Sequence, residues 1–243
     1  MNTDKLSFRL ATVAKYVPKN ARLADIGSDH AYLPCYLAKN AGIPFAIAGE
    51  VVAGPFQSAE RNVLSEGLSE IISVRLGDGL DVIGNDEVDC ITIAGMGGAL
   101  IASILERGKD KLTSVNRLVL QPNIGAISIR KWFFENNWEL ISEEIIEEDE
   151  KIYEILVAEK GEPSKPYPPK KINQGLLLGP FLVQNQNQIF TKKWRLEKRN
   201  WQRIVSQLEG AAHTTETIQK KQELLGKIKL VEEALDGEES KRS

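Results

Sequence analysis

Apolar residues along the first 160 positions fall into short continuous runs that alternate with stretches at helical spacing. The short runs predict buried strands at 23–26, 44–48, 71–76, 88–94 and 117–120. The stretches at helical spacing predict helices at 4–17, 31–40, 54–66, 99–105 and 124–136. Strands that alternate with helices in this way are typical of a parallel sheet with helices packed on its faces.

Two further segments rich in β-branched and aromatic residues follow at 138–146 and 152–158. The charged turn 147–151 separates them, so the pair predicts a β-hairpin. Strand–helix units followed by a closing hairpin predict an α/β fold, in which a mostly parallel sheet carries an antiparallel edge. Ligands of such sheets bind across the carboxyl ends of the strands, and the turns after the strands are therefore the candidate site.

A proline-rich segment at 161–170 interrupts this pattern and marks the clearest domain boundary in the chain. We therefore predict a sheet domain at 1–160, a linker at 161–181 and a helical region at 182–243.

The helical region contains two long polar stretches, about 182–209 and 215–235, joined by a glycine-containing turn. Their apolar residues recur at steps of three, four and seven, from Phe190 to Leu208 and from Ile218 through Leu225 to Leu235. This spacing predicts an antiparallel helical hairpin with a coiled-coil-like seam. The tail from Asp236 onward is polar, and we expect it to be disordered.

Charge is distributed unevenly between the two parts of the chain. Residues 1–160 hold 16 Lys and Arg against 24 Asp and Glu, which gives −8, whereas residues 161–243 hold 15 against 10, which gives +5. A basic appendage on an acidic body indicates a polyanionic partner. The candidate phosphate contacts are Lys192, Lys193, Arg195, Arg199, Arg203, Lys220 and Lys221. The alternative for these residues is a solvated face of the helical hairpin.

The turn after the first strand runs from Asp25 to Asp29. Gly27 permits a tight turn and lets a ligand come close to the backbone. The turn is not the dinucleotide motif, because Asp29 and Tyr32 stand where that motif needs glycines, and the carboxylate of Asp29 would also repel a pyrophosphate. It does not match the phosphate-binding loop motif either. The carboxylates of Asp25 and Asp29 instead favour a ligand with positive charge and with amino or hydroxyl donors. S-adenosylmethionine has a sulfonium, an ammonium and a ribose diol. The alternative for Asp29 is a helix cap.

Polar or glycine-rich turns follow the other strands as well. Glu50 ends the second strand, where nucleotide-binding α/β folds place an acid on ribose hydroxyls. Asp78, flanked by Gly77 and Gly79, can accept a hydrogen bond from the amino group of a base. The alternatives are a surface carboxylate for Glu50 and ordinary turn chemistry for Asp78. Three glycines within 95–98 indicate a backbone that folds closely around something.

The cysteine and histidine residues indicate whether the protein contains disulfides or a metal site. Cys35 and Cys90 lie in apolar surroundings, and we expect buried, reduced thiols in a cytoplasmic protein. His30 and His213 have no Cys or His neighbour at metal-ligand spacing, so we expect no metal site. No apolar run approaches the length of a membrane span, and the first residues do not form a signal peptide.

Five short motifs, taken in order, resemble those of one bacterial family. They are DIGSDHAYLP at 25–34, AGE at 48–50, GDGL at 77–80, AGMGG at 94–98 and LQPN at 120–123. Over essentially its whole length the chain resembles the TrmK family of S-adenosylmethionine-dependent tRNA methyltransferases. The resemblance implies a class I (Rossmann-like) methyltransferase domain with a coiled-coil-like helical extension. It also implies methylation of ring nitrogen N1 of adenine 22 in the D-arm region of tRNA. We expect a monomer.

Site roles follow from the resemblance, motif by motif. It assigns Asp25, Gly27 and Asp29 to the methionine end of the cofactor, Glu50 to the ribose and Asp78 to the adenine amino group. The complete candidate cofactor set is Asp25, Gly27, Ser28, Asp29, Glu50, Gly77, Asp78, Gly79, Gly95, Met96 and Gly97. The chain departs from the common class I pattern because Asp29 stands where a second glycine is usual. It also lacks an N-P-P-[YF] tetrapeptide, which fits a ring nitrogen better than an exocyclic amine as target.

The nucleophile of the implied reaction needs no activating base, because N1 of adenine has a free lone pair. Catalysis is then mostly positioning. Asp29 is the candidate carboxylate near the developing positive charge, Gln121 and Asn123 are candidates for hydrogen bonds to the adenine edge, and Tyr32 for stacking. The other hypotheses are a non-catalytic RNA-binding protein on the same fold and a methyltransferase that acts on a small molecule.

Overall fold

The computed structural model describes residues 3–210 and 214–242, with side chains as far as residue 236. It divides into two units, Met1–Lys165 and Pro166–Ser243. The strands are β1 Arg22–Ile26, β2 Phe45–Glu50, β3 Ile72–Leu76, β4 Cys90–Gly97, β5 Arg117–Ile124, β6 Trp138–Glu148 and β7 Lys151–Lys160. The α-helices of the first unit are α1 Phe8–Lys15, α2 Tyr32–Asn40, α3 Ala53–Ser65, α4 Gly98–Arg107 and α5 Ala126–Glu135. Those of the second unit are α6 Ile172–Leu178, α7 Pro180–Asn185, α8 Gln188–Glu209 and α9 Thr215–Arg242.

The first unit is built on one seven-stranded sheet with the order β3-β2-β1-β4-β5-β7-β6. Strands β1 to β5 pair in parallel, whereas β7 is antiparallel to both β5 and β6. This confirms the predicted α/β fold with an antiparallel edge. The strand order reverses between β1 and β4, and a ligand site is expected at such a switch point.

The central strands are apolar because helices or loops cover both faces of the sheet. Leu23 and Ala24 of β1 and Ile91 and Ile93 of β4 are fully buried. Cys35 and Cys90 are free, buried thiols, as predicted. Burial raises the pKa of the Cys35 thiol to about 11, so it stays protonated near neutral pH.

The closing hairpin is longer than its apolar pattern indicates. The turn between β6 and β7 consists of only two residues, Asp149 and Glu150, with φ of +50° and +62°. Two consecutive positive φ values suit a tight hairpin, because they match the twist of the strands. The hairpin also buries charge, since Arg130 of α5 donates from Nε to Oε1 of Glu143 at 2.6 Å and from Nη2 to Glu154.

The predicted linker at 161–181 differs from the structure. Its second half forms α6 and the start of α7 instead of a connecting segment, because Leu176, Leu177 and Leu178 are buried within the second unit. Gln174 Nε2 donates to the carbonyl oxygen of Leu230 at 3.1 Å, which ties α6 to α9. The second unit therefore begins at Pro166, and its first long helix begins at Gln188, not near 182.

The predicted hairpin is present as α8 and α9, and Ile228 and Val231 of its predicted seam are buried, but Ile218 and Leu225 are not part of the seam. Leu224, Ile228 and Val231 are buried, whereas Ile218 and Leu225 are 46% and 45% exposed. Leu224, Ile228 and Val231 are four and three residues apart and therefore lie on one face of the helix. The predicted seam residue Leu225 lies next to this face. Helix α9 continues to Arg242, although the polar composition predicts a disordered tail from Asp236 onward. Glu, Lys and Arg are good helix formers, so a polar segment can extend a helix.

Candidate active site

The turn after β1 is tied to the end of β2. The N–H groups of Gly27 and Ser28 donate to the carbonyl oxygen of Gly49 at 2.9 and 3.2 Å. Gly27 has φ of +68°, and a Cβ atom at this position would overlap with Cε of Met96. The positive φ of the turn favours glycine at position 27, and the end of the Met96 side chain packs closely against it.

The three residues before α2 adopt left-handed backbone conformations. Asp29, His30 and Ala31 have φ of +44°, +68° and +56°. Such conformations are unfavourable for residues with a side chain, and they persist only where the surroundings hold them. Here Glu50 Oε1 accepts from the N–H of Asp29 at 2.5 Å, and Asn62 Nδ2 donates to the carbonyl oxygen of His30 at 2.9 Å. The strain lies at the candidate site.

The alternative role of Asp29 as a helix cap is not what the structure shows. The residue at the cap position of α2 is Ala31, and the helix has no side-chain cap hydrogen bond. The carboxylate of Asp29 is instead 75% exposed, and its Oδ1 lies 3.3 Å from Nε2 of His30. It is therefore available to a ligand.

Asp25 is a buried carboxylate with two hydroxyl donors. Ser28 Oγ donates to its Oδ2 and Thr92 Oγ1 to its Oδ1, each at 2.6 Å. Burial raises the pKa of Asp25, and the two hydroxyl groups oppose this effect. Thr92 was missed in the sequence analysis because it lies in the interior of β4, where it faces Asp25 only through strand pairing.

Glu50 is also buried, so the alternative of a surface carboxylate is wrong. Only 6% of the residue is exposed, and burial raises the pKa of its carboxyl group. The hydrogen bond from Asp29 N–H fixes one carboxylate oxygen. Gly77 N–H donates to the backbone carbonyl of Glu50 at 2.8 Å, which joins the end of β2 to the turn after β3.

Asp78 has an opposite environment. Its side chain is 52% exposed and paired with Arg107 of α4, whose Nη1 donates to Oδ2 at 2.6 Å. This hydrogen bond lowers the pKa of Asp78, which keeps the carboxylate ionised and able to accept further hydrogen bonds. Arg107 was not found from the sequence, because the pair joins positions 29 residues apart.

The ends of β4 and β5 are paired strands, not the loops predicted for 95–98 and 121–123. Ala94 pairs with Gln121, Met96 with Pro122 and Gly97 with Ile124, across a bulge at Gly95. Gln121 Oε1 accepts a hydrogen bond from the N–H of Gly95 at 3.1 Å, and Asn123 Nδ2 donates to the carbonyl oxygen of Gly95 at 2.7 Å. Glycine at 98 is required where α4 begins, because a Cβ atom there would overlap with the backbone oxygen of Gly125.

A cavity of about 370 Å³ opens at the carboxyl ends of β1 and β4. It brings together seven predicted residues: Asp25, Gly27, Ser28, Asp29, Gly95, Met96 and Asn123. Five other residues, which were not predicted from the sequence, also line it: Arg9, Leu10, Leu33, Ala94 and Tyr153. Arg9 and Leu10 lie on α1 and Tyr153 on β7, where neither periodicity nor motif distinguishes them from other helix or strand residues.

The remaining predicted site residues lie outside the lining of this cavity. They are Tyr32, Glu50, Gly77, Asp78, Gly79, Gly97 and Gln121. The ring of Tyr32 is tilted against that of His30, with centroids 5.4 Å apart. Gln121 is fully buried, and its Nε2 has no hydrogen-bond partner among the described residues. Gln121 contacts Arg9 and Gly95 of the cavity lining without forming part of the wall itself.

The basic residues of the helical hairpin fall into two groups. Arg195, Arg199 and Arg203 are exposed at steps of four along α8, and within the described part of the chain none of them forms an ion pair. Lys220 and Lys221 of α9 instead pair with Glu223 at 3.1 Å and with Glu209 at 2.8 Å. Lys192 is exposed, and Lys193 Nζ lies 5.1 Å from the ring centroid of Trp194.

Nowhere in 3–210 and 214–242 are three or more His, Cys, Asp or Glu side chains arranged to hold a metal ion. Across the same ranges, every helix is too short or too polar to cross a membrane.

Comparison with known proteins agrees with this geometry. The model of the tRNA (adenine(22)-N(1))-methyltransferase family matches residues 23–233. The Bacillus subtilis tRNA (adenine(22)-N(1))-methyltransferase is 53% identical over 97% of this chain and 99% of its own length.

Solved structures lead to the same family. The crystal structure of the B. subtilis m1A22 tRNA methyltransferase covers 95% of this chain and 99% of its own, with a TM-score of 0.92 and 53% identity. A Streptococcus pneumoniae protein, solved in complex with S-adenosyl-L-methionine, is 43% identical over 95% of this chain and 100% of its own, with a TM-score of 0.78. The chain belongs to the tRNA (adenine(22)-N(1))-methyltransferase family.

Proposed function

We propose that this protein transfers a methyl group from S-adenosylmethionine to ring nitrogen N1 of adenine 22 in tRNA. The observation that carries the proposal is the cavity at the β1 and β4 ends, where Asp25, Gly27, Ser28 and Asp29 converge in a chain of this family. The reaction transfers a methyl group, and the cofactor supplies it from a sulfonium centre.

The side chains present fit this cofactor. The carboxylates of Asp25 and Asp29 suit its positive charges, and the turn at Gly27 gives the close backbone approach that a methionyl group needs. The buried carboxylate of Glu50, fixed by the N–H of Asp29, suits a ribose diol, because an ionised acceptor strengthens both hydroxyl hydrogen bonds.

The adenine end of the cofactor is assigned to the turn after β3. Asp78, between Gly77 and Gly79, is held ionised by Arg107 and can accept from an amino group. Met96 and Gly95 form the wall on the reaction side, with Gly97 next to them in β4, and the side chain of Met96 lies against Gly27.

The target base is held by residues on the β5 side and by Asp29. Asn123 lines the cavity and can hydrogen-bond the adenine edge. Gln121 Oε1 is engaged by Gly95, so Gln121 would contact the base through Nε2. Tyr32 offers a ring face for stacking. Asp29 stabilises the positive charge that develops on the ring, since its exposed carboxylate faces the same cavity.

The partner is tRNA, and we propose contact in its D-arm region through the helical hairpin. The exposed cations Arg195, Arg199 and Arg203 support a phosphate-binding stripe on α8, with Lys192 and Lys193 near its start. Lys220 and Lys221 would contribute less, because each is already paired with a glutamate. We further propose that the protein acts as a monomer, in the cytoplasm, where its tRNA substrate is found.

The test is mass spectrometry of nucleosides from unmodified tRNA incubated with the protein and S-adenosylmethionine. We expect N1-methyladenosine, and none when adenine 22 of the tRNA is replaced by guanine. Methylation of a different nucleoside, or of the guanine-substituted transcript to the same level, would contradict the proposed target. No methylation, with measurable cofactor binding, would indicate another substrate or a binding protein.

The same assay tests the assignment of Asp29. We expect Asp29→Ala to lower the methylation rate by about 100-fold or more, because an electrostatic contact in the transition state is lost. Asp110→Ala is the matched control, since Asp110 is exposed outside the cavity lining. Rates that agree within a factor of about three for the two variants would exclude Asp29 from the reaction.

A further inference from the structure

Arg9 is a cation placed in the wall of the cavity by helix α1. Its Nη1 donates to Oε1 of Gln121, and the carbon of its guanidinium lies 5.6 Å from the ring centroid of Tyr153. A Cβ atom at Gly95 would lie 3.7 Å from Nη1, so the guanidinium adjoins the end of β4. Within the described ranges, no carboxylate lies within 4 Å of this guanidinium. A partly buried guanidinium in the wall of a cavity favours an anionic ligand.

Helix α1 is fastened so that Arg9 keeps this position. Glu148, at the end of β6, accepts from the backbone N–H of Phe8 at 2.5 Å and from that of Arg9 at 3.4 Å. A carboxylate at the start of a helix satisfies free N–H groups and complements the helix dipole. Gln121 is fully buried, and it fixes the guanidinium from the other side. The cation is therefore held in place before any ligand binds.

The charges around the cavity are those of an amino acid site. Asp25 and Asp29 are negative, and Arg9 is the positively charged side chain among the residues of the lining. The methionyl end of S-adenosylmethionine carries an ammonium and a carboxylate on the same carbon. Carboxylates recognise the ammonium, whereas a guanidinium binds a carboxylate through two parallel hydrogen bonds.

We propose that Arg9 binds the methionyl carboxylate of S-adenosylmethionine and thereby selects the intact cofactor over its decarboxylated form. This inference rests on the proposed function, because it assigns a residue to the same cofactor site. Gln121 acts as a positioning residue for Arg9 through its Oε1 atom. A phosphate of tRNA is the other anion that could meet a guanidinium, but Asp25 and Asp29 in the same cavity would repel it.

The experiment compares two cofactors by isothermal titration calorimetry with the full-length protein. S-adenosylmethionine and decarboxylated S-adenosylmethionine differ only in the methionyl carboxylate. We expect the wild-type protein to bind the intact cofactor about 10- to 100-fold more tightly, as a charged hydrogen-bonded pair provides. Arg9→Met should lose this preference, with weaker binding of the intact cofactor and unchanged binding of the decarboxylated one.

Two further variants keep the inference falsifiable. Arg9→Lys retains the charge but not the paired donors, so it should keep part of the preference. Lys15→Met is the matched control on the same helix, since Lys15 is 62% exposed and paired with Glu144 at 3.0 Å. It should bind both cofactors as the wild-type protein does, and thermal unfolding of each variant reports whether the fold is intact.

Each contrary outcome has its own meaning. Equal weakening of both cofactors by Arg9→Met would overturn the inference and leave Arg9 a structural residue. Unchanged cofactor binding with a raised KM for tRNA would overturn it in favour of a phosphate contact. If the wild-type protein forms N1-methyladenosine but binds both cofactors alike, only the role of Arg9 is refuted. If it forms none and binds neither cofactor, the proposed function is refuted too.

Discussion

Charged side chains lie in different environments in the two units of the chain. In the sheet unit, Arg130, Asp25 and Glu50 are buried, and each forms hydrogen bonds with defined neighbours. In the helical unit, the cations of α8 and α9 are mostly exposed, and those that pair do so with residues along the helix or across the hairpin. The effect of a charged side chain in the sheet unit therefore depends on the positions of the atoms it bonds to. In the helical unit, the effect depends on how many charges the surface carries.

This difference indicates which substitutions should lower the free energy of unfolding and which should weaken the binding of a polyanion. Removing one member of a buried charged pair leaves the other desolvated and unpaired, which costs several kcal/mol. Removing one exposed charge changes little, since water replaces the partner. A polyanion responds instead to the sum of the exposed charges, and this sum also sets the dependence on salt.

The largest effect on stability should come from Arg130. Arg130→Met leaves Glu143 and Glu154 facing each other in the core, so we expect the free energy of unfolding to fall by about 3–5 kcal/mol. Urea denaturation measures this change. A triple variant that also carries Glu143→Leu and Glu154→Leu should recover much of the loss, because a hydrophobic cluster replaces the charges. A loss below about 1 kcal/mol in the single variant would contradict the role of the buried pair.

The next effect concerns tRNA binding by α8. Replacing Arg195, Arg199 and Arg203 by glutamine should weaken tRNA binding about 10- to 100-fold at low salt. The slope of log K against log salt should become shallower by about 2–3, because roughly 0.7–0.9 is lost per phosphate contact. Lys220→Gln with Lys221→Gln is the comparison, and we expect a smaller loss from these paired lysines. Equal losses would show that the ion pairs do not matter.

A smaller effect should follow pH in the sheet unit. Burial raises the pKa values of Asp25 and Glu50, so both take up protons at a higher pH than ordinary carboxyl groups. Protonation removes the charge that a cationic cofactor needs, so cofactor affinity should fall as the pH is lowered from neutral into the range where these two groups take up protons. Calorimetry of wild-type protein and Asp25→Asn tests this, since the variant should show a flatter profile.

The same two groups should act on stability with the opposite sign. An acid whose pKa is higher in the folded than in the unfolded state binds protons more tightly when folded. Its contribution to the free energy of unfolding therefore rises as the pH falls through the folded pKa. A rise in cofactor affinity on acidification would contradict the assignment of Asp25 and Glu50 to the cofactor.

The smallest effect should come from an exposed pair of α9. Lys227 and Glu223 are one helical turn apart and form an ion pair, and Glu223 is 48% exposed. Glu223→Gln should change the free energy of unfolding by less than about 1 kcal/mol. A loss as large as that of Arg130→Met would remove the contrast between the two units.

The sequence predicts those features whose cause is local. Strands β1 to β3 and the turns at Gly27 and Gly79 follow from apolar runs and from glycines that adopt positive φ. The predicted strands end at Ala94 and Leu120 with turns after them, because glycine and proline residues are uncommon inside strands. The residues of these turns pair nevertheless, since a bulge at Gly95 absorbs the irregularity.

The missed residues act through contacts between distant parts of the chain. Arg9 meets Gln121 across 112 positions, and Thr92 meets Asp25 across 67. No pattern within one element indicates such a contact, because only the packing of α1 and the pairing of β1 with β4 create it. For the same reason the shift from Leu225 to Leu224 in the hairpin seam depends on how α9 is rotated against α8.

The attachment of α1 through Glu148 determines when, during synthesis of the chain, the binding site can be completed. A ribosome synthesises Phe8 and Arg9 140 residues before the carboxylate that holds their helix. Until β6 and β7 have emerged and paired, the first helix lacks the carboxylate of Glu148 at its start and the cavity lacks Tyr153. The binding site is therefore completed only late in synthesis, when nearly the whole sheet unit has left the ribosome.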